Sequence, residues 1–230
     1  MRQIRYSIIV PCYNEAENIP LLFNKFSEII KRDDIEIIFV DNGSTDNSGR
    51  IIDEMLKDNS FAVKVEVYKN KGYGYGIKSG LKAAKGRYVG WIHGDMQFPL
   101  NSVLTAIELV EKSGVEKIFI KGLRKNRSFS EYIFTVGLAI LGSIFLKGFY
   151  WDINGQPTLF HRSLISSDNI PDDFSIDFYF YIKAIRSGFK IERFPVFLKK
   201  RAFGESSWNR NFISRFVLAK KYIYFIFKNI

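Results

Sequence analysis

One cysteine, Cys12, serves the entire 230-residue chain, so no disulfide framework can form within it and a reducing cytoplasm is the default setting. Only six prolines are present, and they gather with serine into nothing like a linker; with 47% hydrophobic content the chain can fill one sizeable core. The first residues, Met1-Arg2-Gln3-Ile4-Arg5, run directly into an apolar segment and lack the long apolar stretch and small-residue cleavage site of a signal peptide, so export is not expected. Acid is in deficit, 24 Asp and Glu against 34 Lys and Arg, and the formal charge of +10 favours anionic partners: a nucleotide diphosphate, a lipid phosphate or an acidic membrane face. Nucleic acid is not expected, because the basic residues are dispersed and neither zinc-finger nor helix-turn-helix spacing occurs.

What is present is an alternation of strand and helix signals. Three apolar β runs end in polar loops: Ser7-Ile8-Ile9-Val10 before Pro11 to Glu15, Ile35 to Val40 before Asp41 to Asp46, and Tyr88 to His93 before Asp95 to Pro99. Polar residues delivered at the carboxyl ends of several strands are the pattern of an open parallel sheet with a ligand crevice. Helical spacing of Ile19, Leu22, Phe23, Phe26, Ile29 and Ile30 predicts a helix over Glu15 to Lys31, and Asp46 is placed to cap a second helix running to about Lys57. A strand over Val63 to Tyr68 leads to Gly72, Gly74 and Gly76, which can let backbone approach a ligand closely, and a helix over Ile77 to Lys85 follows. This glycine cluster is not a dinucleotide fingerprint, since Ile77 and Ser79 stand where another glycine is needed. The order is α/β.

At these residues the chain resembles family 2 glycosyltransferases of the GT-A fold, and within them the dolichol- and polyprenyl-phosphate sugar synthases. Pro11, Tyr13, Asn14 and Glu15 match the opening Pro-x-Tyr-Asn-Glu; Val40, Asp41, Gly43, Ser44, Thr45 and Asp46 match Val-Asp-Asp-Gly-Ser-Thr-Asp, with Asn42 replacing the second aspartate. Asp95 and Gln97 match Asp-x-Asp-x-Gln, while His93 stands at the first carboxylate. Asp152 to Arg162 looks like the acceptor-side segment, with its glycine displaced by one, and Arg201 to Ser206 like the Arg-x-x-Gly-x-Ser loop, with Ser207 and Trp208 where lysine usually follows. The resemblance runs from about residue 5 to about residue 210, and these motifs in the correct order make it specific.

The resemblance implies a doubly covered, mostly parallel sheet over residues 1–210, with 211–230 as a basic amphipathic segment. It implies a nucleotide-sugar pocket made by Pro11, Tyr13, Asn14, Glu15, Asp41, Gly43, Ser44, Gly74 and Asp95, for a uridine- or guanosine-linked donor. A divalent metal, magnesium or manganese, would lie at Asp95 and Gln97; His93 either ligates it, which would favour manganese, or hydrogen-bonds the diphosphate. Gln97 either orients Asp95 or touches a metal-bound water, and Arg201 can clasp the diphosphate with its fork. On the acceptor side, Asp152 and Asp177 are candidate bases for a hydroxyl, whereas Asp152, Gln156, Arg162 and Ser206 would line a phosphate site. A phosphate acceptor needs no base, since its second pKa of roughly 6 leaves it largely ionised at neutral pH.

Tyr132 to Leu146 carries no charge over 15 residues. As a helix it would be about 22 Å long, short of a roughly 30 Å hydrocarbon core. Asn209 to Ile230 holds Arg210, Arg215, Lys220, Lys221 and Lys228 among six aromatic residues and no acid, a composition suited to an interfacial helix on an anionic leaflet. The expectation is an inverting glycosyltransferase, peripheral on the cytoplasmic face of the membrane, that acts on a lipid phosphate. A transferase for a saccharide hydroxyl in surface-polymer assembly and a non-catalytic nucleotide-sugar binding protein are the alternatives.

Overall fold

Side chains alternate along the central strands, and the two faces they define bury different helices. In β1 (Tyr6–Cys12), Ile8 and Val10 pack with α1 (Asn18–Ile29), whereas Ile9 packs with α3 (Tyr73–Ala83) in the opposite cluster. In β2 (Ile35–Asp41), Ile37 and Phe39 share the first cluster and Ile38 and Val40 the second. Burial on both faces is why these strands read as continuous apolar runs. The computed structural model describes residues 3–126, 129–146, 148–165, 169–204 and 220–227.

The remaining elements are α2 (Ser48–Leu56), β3 (Ala62–Glu66), β4 (Tyr88–Trp91), α4 (Asn101–Ser113), β5 (Ile118–Lys125), α5 (Phe129–Phe145), β6 (Thr158–His161), α6 (Ser175–Arg186) and β7 (Lys190–Phe197). Seven strands form one sheet in the order β3-β2-β1-β4-β6-β5-β7. Among the described residues only β6 runs against its neighbours; the other pairings are parallel. The α/β class and mostly parallel sheet expected from the sequence are therefore present. Because β1 lies between β2 and β4, the loops at its carboxyl end diverge and open a crevice, the usual ligand position in such sheets.

Two local expectations change. α3 begins at Tyr73, four residues before the expected Ile77, with its glycines inside or just before the first turn. Asp46 lies two residues before α2, and its Oδ1 accepts the Ser48 amide at 2.9 Å while Oδ2 accepts the Ala16 amide at 3.3 Å. It thus joins two loops as well as starting a helix.

Residues 220–227 are helical, and Tyr222, Phe225 and Ile226 are buried in the same cluster as α6. The Tyr222 hydroxyl lies 2.6 Å from Asn154 Oδ1 and 3.0 Å from the Phe174 carbonyl oxygen. This part of the C-terminal segment is packed on the domain by one face.

Candidate active site

The first wall of the crevice is a pair of loops that hold one another. After β1, Asn14 adopts φ 54°, a left-handed conformation that asparagine tolerates. Its Oδ1 accepts the Thr45 amide at 2.8 Å, its own amide donates to Ser44 Oγ at 3.2 Å, and the Glu15 amide donates to Ser48 Oγ at 2.9 Å. Asp41 ends β2, nearly buried, with Oδ1 accepting the Ser44 amide at 3.0 Å. Gly43 (φ 72°) is required there, since a Cβ would fall 2.3 Å from the Asn70 amide nitrogen. Pro11 and Tyr13 belong to the same rim, and the Tyr13 side chain is exposed.

The second wall follows β4. Gly94 lies tight against β1, where a Cβ would sit 3.2 Å from the Pro11 carbonyl oxygen, and this closeness carries Asp95 to the end of β1. Asp95 is buried; Oδ1 accepts the Gln97 amide at 3.0 Å, and Oδ2 accepts Arg201 Nη2 at 2.7 Å. Arg201 Nη1 is also 3.9 Å from Glu15 Oε1, so one guanidinium spans both walls. Its loop is held by the Lys199 amide donating to the Gln97 carbonyl at 2.9 Å and by Asn18 Nδ2 donating to the Phe203 carbonyl at 3.4 Å.

His93 is packed between Tyr73 and Phe98, with ring centres 5.1 and 5.6 Å away. Gln156 Nε2 lies 3.0 Å from His93 Nε2 and donates to the Tyr73 hydroxyl at 2.6 Å. Burial lowers the His93 pKa, which favours the neutral ring. These contacts engage Nε2 within the protein, with the Gln156 amide. Among the described residues no three His, Cys, Asp or Glu side chains gather as a metal cluster. Asp95 nevertheless already holds a cation, the Arg201 guanidinium. Its carboxylate and the Gln97 amide suit an ion that takes its other ligands from water and substrate phosphates, as magnesium does.

Several expected site residues lie elsewhere. Gly74 accommodates protein, not ligand, because a Cβ there would meet the carbonyl oxygens of Pro171 and Asp173 at 2.5 and 2.6 Å. Asp152 is fully buried beneath the surface; Arg124 donates to its Oδ1 from Nε at 2.8 Å and Nη2 at 2.6 Å, and Arg193 Nη2 is 3.9 Å from its Oδ2. Asp177 is equally enclosed, accepting from Trp91 Nε1 and Lys121 Nζ, each at 3.2 Å. Neither carboxylate is open to an acceptor hydroxyl. Arg162 donates to the carbonyls of Ala84 at 3.0 Å and Lys85 at 3.2 Å, capping the end of α3. It follows β6 where that strand pairs with the start of β4, at the opposite edge of the sheet from Asp95. Gln156 is buried and reaches the site through His93. Ser206 lies outside the described residues.

The family 2 glycosyl transferase model matches residues 7–165. The chain belongs to glycosyl transferase family 2. Among relatives of this family 2 chain, an undecaprenyl-phosphate 4-deoxy-4-formamido-L-arabinose transferase of Pseudomonas fluorescens is 32% identical over 129 residues, covering 55% of this chain and 37% of that protein. The chain thus spans little more than a third of that relative's length. Among solved structures, glucosyl-3-phosphoglycerate synthase from Mycobacterium tuberculosis, in complex with Mn2+, UDP and glucosyl-3-phosphoglycerate, has a TM-score of 0.76 at 17% identity, covering 98% of this chain and 80% of its own. A mannosyltransferase from Pyrobaculum calidifontis, in complex with GDP-Man and Mn2+, has a TM-score of 0.64 at 19% identity over 95% and 65% of the two chains. The fold of the family 2 domain is accordingly GT-A.

The motifs of this family 2 domain do not include buried Lys121 or half-buried Arg124 and Arg193, the cations paired with Asp177 and Asp152. A signal existed: Lys121 interrupts the apolar run Ile118-Phe119-Ile120, where a charge needs a partner. Glu15 also gains a property that its motif does not display. Burial pushes its carboxyl up to about 7, aided by the charges of Asp95 and Asp46 and opposed by Asn18 and Arg201. The folded chain then holds a proton that the unfolded chain has released between pH 4.5 and 7, so Glu15 lowers stability as pH rises through that window. We expect Glu15→Gln to lose this slope: between pH 5 and 8 the wild type should fall relative to it by roughly 1–2 kcal/mol, discounted for residual solvent. Parallel melting curves across that range would refute the assignment.

Proposed function

We propose that the domain transfers a sugar, with inversion, from a uridine- or guanosine-diphosphate sugar to a polyprenyl phosphate at an anionic membrane surface. The observation that carries this is the pairing of Asp95 with Arg201 where the two walls of the crevice meet, with Asp41 at the end of β2 holding the first wall through the Ser44 amide. An acceptor phosphate oxygen attacks the anomeric carbon from the face opposite the diphosphate; the new C–O bond forms as the bond to the diphosphate breaks. A divalent ion, when bound, supplies neutralisation of charge on the leaving diphosphate. Asp95 and Gln97 would hold it, Arg201 would take phosphate oxygens with its fork, and Asp41 would accept from the base or ribose. The enclosure of Asp152 and Asp177 favours an acceptor that arrives already ionised, because a hydroxyl would need a base that these residues do not offer. The relative's printed name, an undecaprenyl-phosphate sugar transferase, supports the same acceptor class.

The test is transfer of labelled sugar from a panel of UDP and GDP sugars into organic-extractable polyprenyl phosphate with magnesium or manganese. Label in the lipid phase is the expected result; label confined to a water-soluble saccharide product would replace the acceptor assignment.

Membrane attachment has its own support. Ile140, Leu141 and Ile144 on α5 and Ile223, Tyr224 and Phe227 on the 220–227 helix are exposed apolar side chains, and Phe145 brings the two helices together with ring centres 5.1 Å from Phe227. Lys220 and Lys221 are exposed at the start of the second helix. No helix of the described residues is long and apolar enough to cross a membrane. Such a face, with lysines at its margin, suits shallow insertion into an anionic leaflet. The double variant Ile144→Glu/Tyr224→Glu should reduce flotation with phosphatidylglycerol vesicles by about tenfold or more, at two buried side chains of apolar area. Equal flotation of the two proteins would exclude this face.

A further inference from the structure

We infer that Arg201 is a resident counter-cation that keeps divalent metal off Asp95 until a nucleoside diphosphate draws it away, so that metal and nucleotide enter as one unit. The inference rests on the assignment of Asp95 to the metal and adds the order in which the site fills.

Both Asp95 oxygens are engaged without ligand: Oδ1 by the Gln97 amide at 3.0 Å and Oδ2 by Arg201 Nη2 at 2.7 Å. The pair is poorly solvated, with side chains 9% and 20% exposed, so water screens it little. Its geometry is imposed from outside the pair. Lys199 and Phe203, on either side of Arg201, are tied by backbone groups to Gln97 and Asn18, so the chain delivers the guanidinium to Asp95. A metal ion arriving alone would have to expel this cation and break the 2.7 Å contact that Asp95 Oδ2 accepts. Removing one partner of such a pair while the other stays enclosed is strongly unfavourable.

A diphosphate changes the exchange. Its oxygens would accept both N–H groups of the fork, so Arg201 would pass from carboxylate to phosphate and leave Asp95 to hold the ion. Every charge keeps a partner throughout. Metal and nucleotide must then tighten one another by the same factor, because coupling between two sites is reciprocal. His93 strengthens the effect: its Nε2 is engaged by Gln156 at the position where the motif has its first carboxylate, so Asp95 competes for the ion against Arg201.

The experiment is a Mn2+ titration of the full chain followed by the electron paramagnetic resonance of free Mn2+, with and without UDP or GDP. Wild type should bind Mn2+ weakly alone and far more tightly with nucleotide. Arg201→Gln should bind Mn2+ alone about tenfold more tightly than wild type, the scale of one charge-assisted hydrogen bond, and show a smaller gain from nucleotide. Arg201→Lys, which keeps the charge but loses the fork, should fall between them and serves if the glutamine variant does not fold. Lys199→Gln removes a neighbouring charge and should change Mn2+ affinity little. Affinity in Arg201→Gln equal to or below wild type, or an equal gain in Lys199→Gln, overturns the inference while leaving the metal assignment intact. If Asp95→Asn in the Arg201→Gln background leaves Mn2+ affinity unchanged, the metal assignment and the inference fall together.

Discussion

Asp95→Asn should lower kcat/KM for sugar transfer by roughly 10³, the rate equivalent of the several kcal/mol that a metal contributes to a developing charge. The change keeps shape and the hydrogen bond from the Gln97 amide but removes the charge that attracts Arg201 and would attract the ion. Because Asp41, Asn14 and Ser44 hold their loop without Asp95, nucleoside binding in the absence of metal should stay within a few-fold of wild type. Steady-state kinetics alongside calorimetric titration of UDP and GDP separates the two effects. Activity within tenfold of wild type would remove Asp95 from the chemistry, and loss of nucleotide binding without metal would recast it as part of the nucleoside pocket.

The other large effect is on folding. Asp177→Ala leaves the Lys121 ammonium fully buried with, among the described residues, Thr158 Oγ1 at 3.0 Å as its side-chain hydrogen-bond acceptor. Breaking a buried pair in this way costs about 3–5 kcal/mol. In a chain of this size that corresponds to a melting point lower by on the order of 10 °C. Burial already holds the Lys121 pKa below its ordinary value against the pull of Asp177, and without that aspartate the depression deepens. A base whose folded pKa is depressed costs stability wherever the unfolded chain is protonated and the folded chain is not, so the variant should recover stability as pH rises toward the unfolded lysine pKa. The double replacement Lys121→Met/Asp177→Leu removes both charges at similar volume and should restore most of the loss. Differential scanning calorimetry of the three proteins at pH 7 and 9 checks both statements; a single variant that melts within 2 °C of wild type would show that the pair contributes little. The position matters beyond stability. Asp177 also accepts from Trp91 at the end of β4, so it helps fasten α6 to the strand that leads to Asp95.

Much of this was legible without coordinates. Pro11 to Glu15, Asp41 to Asp46 and Asp95 to Gln97 each follow an apolar run, and strand ends in a parallel sheet all point their loops to one edge, so three separate motifs implied one crevice. The second-half residues were harder. Asp152, Asp177 and Arg162 are polar residues of the kind that line sites, and local sequence does not distinguish a carboxylate facing a ligand from one facing an arginine 28 positions away. Gly74 shows the same limit for backbone: its lack of a side chain signals a close approach but not what approaches, which proved to be Pro171 to Asp173. α3 extends further than its sequence suggests because three glycines in the five residues 72–76 weigh against a helix in isolation, and packing against β1 and β2 outweighs that propensity.

By itself the sequence determined the α/β alternation, the strand-end motifs and the excess of positive charge, since these follow from periodicity, order and composition, all of which are local or additive. Tertiary structure alone decided which charges neutralise one another. Long-range contacts turn Asp152 and Asp177 inward to Arg124 and Lys121, stack His93 between Tyr73 and Phe98, and set Arg201 on Asp95 across 106 positions of chain. A buried charge is stable only with a partner close at hand, and that closeness is a property of the folded chain.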